Sequence, residues 1–337
     1  MIKNMVGKQT LCFRNQPEIL GTGSVVGVKE GKGPLGECFD VVLEEDIYGE
    51  KTWEKAETKM LKEAILLSIK KAGKTKEQIN AILSGDLLNQ LMSASFSARD
   101  LQIPFLGLYG ACSTMTESMI VGAVLVDGGY ADHVVAAASS HYCTAERQFR
   151  MPLEHGNQRP PSAHWTVTGS GSVVIGKTDH PYICCTYGTI GKIVDPGITD
   201  TNQMGAAMAP AALDTVITHF SDTGRPLDYY DMILTGDLGH IGKDILLDMM
   251  KKQGMDLEKV YNDCGVLIYD REQDTHSGGS GCGCSAVTFS GYIFDKLIKG
   301  QLKKILLIST GALMTTTSSQ QGNSIPGIAH AIAVEIC

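Results

Sequence analysis

Cys112 stands at the head of the apolar run Cys112–Val126, directly after Gly110-Ala111. The run reads as a helix, and the unpaired amides at a helix amino-terminus lower a thiol's pKa and favour the nucleophilic thiolate. Acyl transfer by a cysteine also needs a base, and donors aimed at the developing oxyanion. A second chemical feature is the glycine-rich loop Ser277–Gly283, preceded by His276 and followed by Cys284-Ser285. So many glycines in one loop imply close backbone approach, and successive free amides bind anions. A third is the segment 139–172, which holds Arg147, Arg150 and Arg159, three of the chain's seven arginines, with His141, His155 and His164. Guanidinium forks match carboxylates, and Trp165 in the same segment offers a flat apolar face.

These groups need a scaffold, and the chain repeats one. Ile82-Leu83-Ser84-Gly85-Asp86-Leu87 returns as Ile233-Leu234-Thr235-Gly236-Asp237-Leu238, an offset of 233 − 82 = 151. Cys112-Ser113 and Cys284-Ser285 form a second echo at 284 − 112 = 172. The difference, 172 − 151 = 21 residues, is expected as a surface insertion in the second half. Two similar halves enclose one cleft at their junction. Asp86 and Asp237, each beside a new helix, are expected to cap it.

Apolar spacing predicts a strand at 24–28, a helix at 52–72 closed by Gly73, a strand at 81–84, a helix ending near Arg99 and a strand at 105–109. A helix at 112–126 and a strand at 132–138 complete a βαβαβ order. The second half predicts strands at 182–186, 231–235, 266–269 and 304–309, with helices at 204–220, 243–253 and 286–299. Such alternation implies parallel sheets with right-handed crossovers in layers. The segment 139–172 reads as a long loop, and loops of that length are usually functional or disordered. The domain division is 1–176, including loop 139–170, and 177–337.

At 337 residues, 43% hydrophobic, the chain can bury a large core. A net charge of −8 argues against nucleic acid, whose phosphates demand dense positive charge. Met1–Thr10 lacks the apolar stretch of a secretory signal, and the longest apolar segment, 115–126, falls short of a membrane span, so a soluble chain is expected. Ten cysteines without a signal predict free thiols in a reducing compartment. Neither Cys184-Cys185 nor Cys282-Gly283-Cys284 has the spacing of a zinc site, and no metal or cofactor is expected.

Gly110-Ala111-Cys112-Ser113-Thr114, Thr168-Gly169-Ser170-Gly171-Ser172-Val173-Val174 and the Ser277–Gly283 loop together resemble the thiolase and ketoacyl synthase superfamily. Arg159–Thr168 and His276–Thr288 resemble, more narrowly, a family of sporulation proteins within it. The resemblance implies a five-layered αβαβα fold from two βαβαβαββ halves, and a homodimer joined through the first-half sheet. It also implies a role in spore-forming bacteria: binding dipicolinic acid, as the free acid or its calcium chelate, for uptake into the developing spore. The protein would work at the spore inner membrane beside membrane proteins of the same uptake system.

Cys112 sits where the superfamily places its acyl-accepting nucleophile, whose partners there are two histidines, histidine and asparagine, or histidine and a second cysteine. Here Gly236 and Asp237 occupy the first partner's place, and Ser277-Gly278-Gly279-Ser280 the second's, with His276 and His240 out of register. A carboxylate at 237 aimed at Cys112 would raise the thiol's pKa. The expectation is a retired active site that binds a ligand through Cys112, His141, Arg147, Arg150, Arg159, Trp165, His276, Ser277, Gly278 and Gly279. The alternative is an acyltransferase using Cys112.

Overall fold

The computed structural model describes residues 4–149 and 159–337. Ten strands, with three short ones beside them, form two five-stranded sheets of one design that join edge to edge. In the first half these are β1 (Glu18–Val26), β2 (Ala81–Asp86), β3 (Phe105–Gly107), β4 (His133–Ser140) and β5 (Gly169–Gly176). In the second they are β6 (Ile183–Thr189), β7 (Met232–Thr235), β8 (Tyr261–Asp263), β9 (Lys304–Ala312) and β10 (Gly327–Ile336). The first sheet runs β3-β2-β4-β5-β1 and the second β8-β7-β9-β10-β6, the same order five strands on. The sheets meet where β1 pairs β6 at Glu18 and Cys184.

The sheets are mixed. β2 runs parallel to β3 and β4, and β7 to β8 and β9, but β5 and β10 are antiparallel to both neighbours. The purely parallel expectation fails at the last strand of each half, which returns antiparallel to the strand before it.

The helices are α1 (Trp53–Lys71), α2 (Met92–Leu101), α3 (Thr114–Asp127), α4 (Tyr142–Phe149), α5 (Met204–Thr223), α6 (Gly239–Lys252) and α7, which begins at Cys282–Val287 and runs on to Ile298. Helices α1 and α2 cover the outer face of the first sheet, α5 and α6 that of the second, and α3 and α7 pack between them. This is the five-layered αβαβα arrangement. The even apolarity of α3 follows: a helix with a sheet on either side buries all round, and Met115, Met119 and Ala123 are fully buried. The apolar run 115–126 therefore fills the interior of the protein. Among the described residues no helix is long and apolar enough to cross a membrane.

Three expectations change. The strand placed at 266–269 is a short helix, Cys264–Leu267, started by Asp263, whose side chain accepts from the Val266 amide; the strand itself lies earlier, at β8. The added length of the second half falls mainly between β8 and α7. The segment 139–172 holds the end of β4, α4 and the first half of β5 as well as a two-residue strand, Trp165–Thr166, which pairs in parallel with Gly279–Ser280. The cysteines are not all free either: Cys184 and Cys337 form a disulfide. Antiparallel pairing of β6 with β10 brings these two positions together, and the Cys337 amide bonds the Tyr182 carbonyl.

Candidate active site

Cys112 lies at the junction of the halves, where the chain leaves β3 and enters α3. Ala111 adopts a left-handed conformation (φ 51°) that turns the chain sharply into the helix. The end of β9 presses on this turn, and a Cβ at Gly311 would stand 2.3 Å from the Gly110 carbonyl oxygen. Cys112 is 7% exposed and opens into a small cavity of about 50 Å³. Leu87, Tyr109, Phe149, Met204 and Met314 form apolar walls, while Thr166, Thr201 and Ser280 contribute hydroxyls and Glu146 a carboxyl. Among the described residues no histidine lines it.

The partner of Cys112 is Asp237. Its Oδ2 accepts from the Ser280 hydroxyl (2.9 Å) and the Gly281 amide (3.0 Å), its Oδ1 accepts from the Thr310 hydroxyl (2.7 Å), and the Cys112 thiol lies within reach of its charge. Asp237 does not cap α6, as its repeat-mate Asp86 caps the start of α2 by accepting from the Leu88 and Ala94 amides. Asp263 takes that role in the second half, accepting from the Leu238 and Gly239 amides, and frees Asp237 to turn inward. Gly281 permits the arrangement: at φ 95° it aims its amide at the carboxylate, a conformation closed to most side chains.

The electrostatics follow from burial. Burial, and next the charge of Asp237, push the Cys112 thiol well above its ordinary value. Burial also raises Asp237, against hydrogen bonds from Thr310, Gly281 and Ser280 that favour its ionised form. A protonated thiol beside a carboxylate is a poor nucleophile.

The expected ligand residues fall in different places. His141 is buried behind α4, with Nε2 on the Asp46 carbonyl (3.0 Å) and Nδ1 accepting from the Cys143 amide (3.1 Å). Arg147 leaves the cavity side of α4 and pairs with Glu54 on α1. Arg150 and His155 lie outside the described residues. Arg159 bonds the Asp274 carbonyl (2.7 Å) and lies 4.7 Å over the Trp165 ring. Lys29 approaches the same ring at 4.1 Å, and Tyr142 stacks on it at 3.8 Å, so Trp165 already has its partners. His276 is at the surface beside Asp274 (3.2 Å), and His240 lies near Arg271 (3.4 Å).

Alternation along the short strand explains the split: Thr166 faces the cavity, so Trp165 must face away. The Ser277, Gly278 and Gly279 strap spends its backbone groups on structure. The Ser277 amide donates to the Ala163 carbonyl, its carbonyl accepts from the His240 amide, and the Gly278 carbonyl accepts from Trp165. Among the described residues, only Cys112 of the expected set lines the cavity. Asp237, weighed as a carboxylate that would raise the thiol's pKa, meets that condition. Ser280, Thr310, Thr166 and Tyr109 were not expected. Ser280 was legible in principle, since it follows Gly279 where the superfamily pattern has Gly-His or Asn.

A family model described as stage V sporulation protein AD matches residues 7–335. The chain is 46% identical over 331 residues to the stage V sporulation protein AD of Bacillus subtilis (strain 168), covering 98% of each. It resembles in fold the 3-oxoacyl-[acyl-carrier-protein] synthase III of Aquifex aeolicus VF5 (TM-score 0.60, 11% identity, 95% of this chain and 99% of that one). It also resembles the OleA E117D variant of Xanthomonas campestris (TM-score 0.61, 12% identity, 100% and 99%). With a shared fold, a cysteine at the turn into α3 and near-complete coverage by one sporulation family, the chain belongs to the stage V sporulation protein AD family.

Proposed function

We propose that this protein binds dipicolinic acid, free or as its calcium chelate, for uptake into the developing spore, and that it does so without catalysis. The observation that carries the reading is the buried Asp237 carboxylate set beside Cys112 where the two halves meet. The thiol that would accept an acyl group is held protonated by a carboxylate, while the cavity in front of it persists. That cavity is far below the volume of roughly 300–1,000 Å³ typical of drug-sized ligands. A small flat ring would have to widen it less than a CoA-linked acyl chain would. Tyr109 and Phe149 offer apolar surface to a pyridine, and the hydroxyls of Tyr109, Thr166 and Thr201 offer donors to its carboxylates. Burial pushes the Tyr109 phenol up to about 12, which keeps it a donor.

The partners proposed with this role are membrane proteins of the same uptake system and a second copy of the chain. Edge strand β3 supports the dimer, with Leu106 half-exposed and Tyr109 43% exposed beside it. Calorimetric titration with dipicolinate, with and without calcium, tests the ligand. Saturable 1:1 binding that Tyr109→Phe and Thr166→Val weaken is the expected result, and no heat in either titration overturns it.

A further inference from the structure

Helix α2 is built inside out. Toward the protein it buries Ser93, Ala94, Ser97 and Ala98, with Leu101 its only large buried apolar side chain. Toward solvent it shows Met92 and Phe96, each 38% exposed. A surface helix ordinarily does the reverse. The small inner residues let α2 lie close on α1, where the Ser97 hydroxyl donates to the Thr58 carbonyl (2.8 Å). The two helices thus become the walls of a groove of about 650 Å³.

The α1 wall is one helical stripe, Lys55, Lys59, Lys62 and Leu66, at spacings of four, three and four, and Arg99 on α2 closes the other side. The floor is apolar and the rim cationic. Four cations face three acids, Glu50, Glu63 and Asp100. Asp100 pairs with both Arg99 and Lys62, Lys59 donates to the Tyr48 carbonyl (2.9 Å) and Glu63 accepts from the Tyr48 hydroxyl, so the rim carries a net positive charge of one. This surplus of positive charge lies on a chain whose net charge is −8.

We infer that the α1–α2 groove is a docking surface for an acidic amphipathic helix of a partner protein. Its apolar stripe would lie on Leu66, Met92 and Phe96, and its carboxylates against Lys55, Lys59, Lys62 and Arg99. Helix-in-groove recognition uses this combination of apolar anchors spaced along one face and charges along the rim. A second copy of the same surface fits poorly, because it would set the two cationic rims against each other.

The test uses the full chain and two synthetic helical peptides with the same leucine stripe, one flanked by glutamates and the other by lysines, alongside phosphatidylglycerol vesicles. The glutamate peptide is expected to bind, to weaken as salt rises, and to lose about tenfold or more in affinity with either Phe96→Ser or Lys55→Glu, both surface changes whose folding is checked by thermal melting. The lysine peptide is expected not to bind. Equal binding of both peptides, no binding of either, indifference to both variants, binding to vesicles alone, or a dimer dissolved by Phe96→Ser would each overturn the inference.

Discussion

The Cys112 thiol and the Asp237 carboxylate are neighbours across the junction of the two halves, both buried. One comes from the turn into α3 and the other from the loop after β7, so the duplicated units meet, thiol beside carboxylate, at the place where they enclose the cavity. Burial sets its character. In water a carboxylate beside a thiol matters little, but shielded from solvent it holds the proton on sulfur.

Replacing the carboxylate should release the thiol. Asp237→Asn removes the neighbouring charge, so the pH at which iodoacetamide alkylates Cys112 is expected to fall, with faster labelling at pH 8 followed by mass spectrometry. The same change sets an amide against the Ser280, Gly281 and Thr310 donors, at about 1–3 kcal/mol of stability. An unchanged alkylation profile would show that Asp237 does not govern the thiol.

The cavity-lining hydroxyls and the outlying arginines should separate in a dipicolinate titration. Loss of a hydrogen bond to a charged ligand costs about 1.5–3 kcal/mol, so Thr166→Val or Tyr109→Phe is expected to weaken binding about tenfold or more. Arg147→Ala and Arg159→Ala are expected to leave affinity nearly unchanged, because those side chains serve Glu54 and the Asp274 carbonyl. The opposite pattern would move the ligand to the Trp165 side of the strand.

The repeat was readable because both copies keep the turn Gly-Asp-Leu after a buried strand, and the structure gives the two halves the same strand order. The position of Cys112 was readable for a similar reason: a strand, a glycine and an apolar helix in succession leave one place for it. The arginines could not be placed in this way. Their crowding in one segment says nothing about which way each points, and α4 turns Arg147 toward α1 while the short strand turns Trp165 away from Thr166. The different fates of Asp86 and Asp237 were hidden too, because they depend on Asp263, a competing cap that reaches the start of α6 only in the folded chain.

A buried acid on the first-half side should show in the pH dependence of stability. Burial, with the charge of Asp86 adding to it, pushes the Glu57 carboxyl up to about 8, against about 4.3 in an unfolded chain. The folded state thus keeps a proton that the unfolded state releases, and stability falls as pH rises from about 4 to about 8. Glu57→Gln cannot ionise and is expected to flatten that decline in urea melts at pH 5 to 8. A slope as steep as that of the unaltered chain would mean that Glu57 is ionised in the fold.

The contact between β5 and α7 leaves no room for a methyl group. A Cβ at Gly171 would stand 2.3 Å from the Ala286 backbone, and overpacking of this kind costs about 1–3 kcal/mol. Gly171→Ala is therefore expected to lower the thermal midpoint and loosen the cavity wall that α7 carries. An unaltered midpoint would place the two elements farther apart.

Whether Cys112 still performs acyl transfer is decided most directly by intact-mass spectrometry of the protein incubated with acetyl-CoA and longer acyl-CoA thioesters, with free CoA measured in parallel. The expected result is an unmodified chain and no CoA released above the spontaneous rate. A stoichiometric acyl adduct on Cys112, with continuing release of CoA, would contradict a site retired from chemistry.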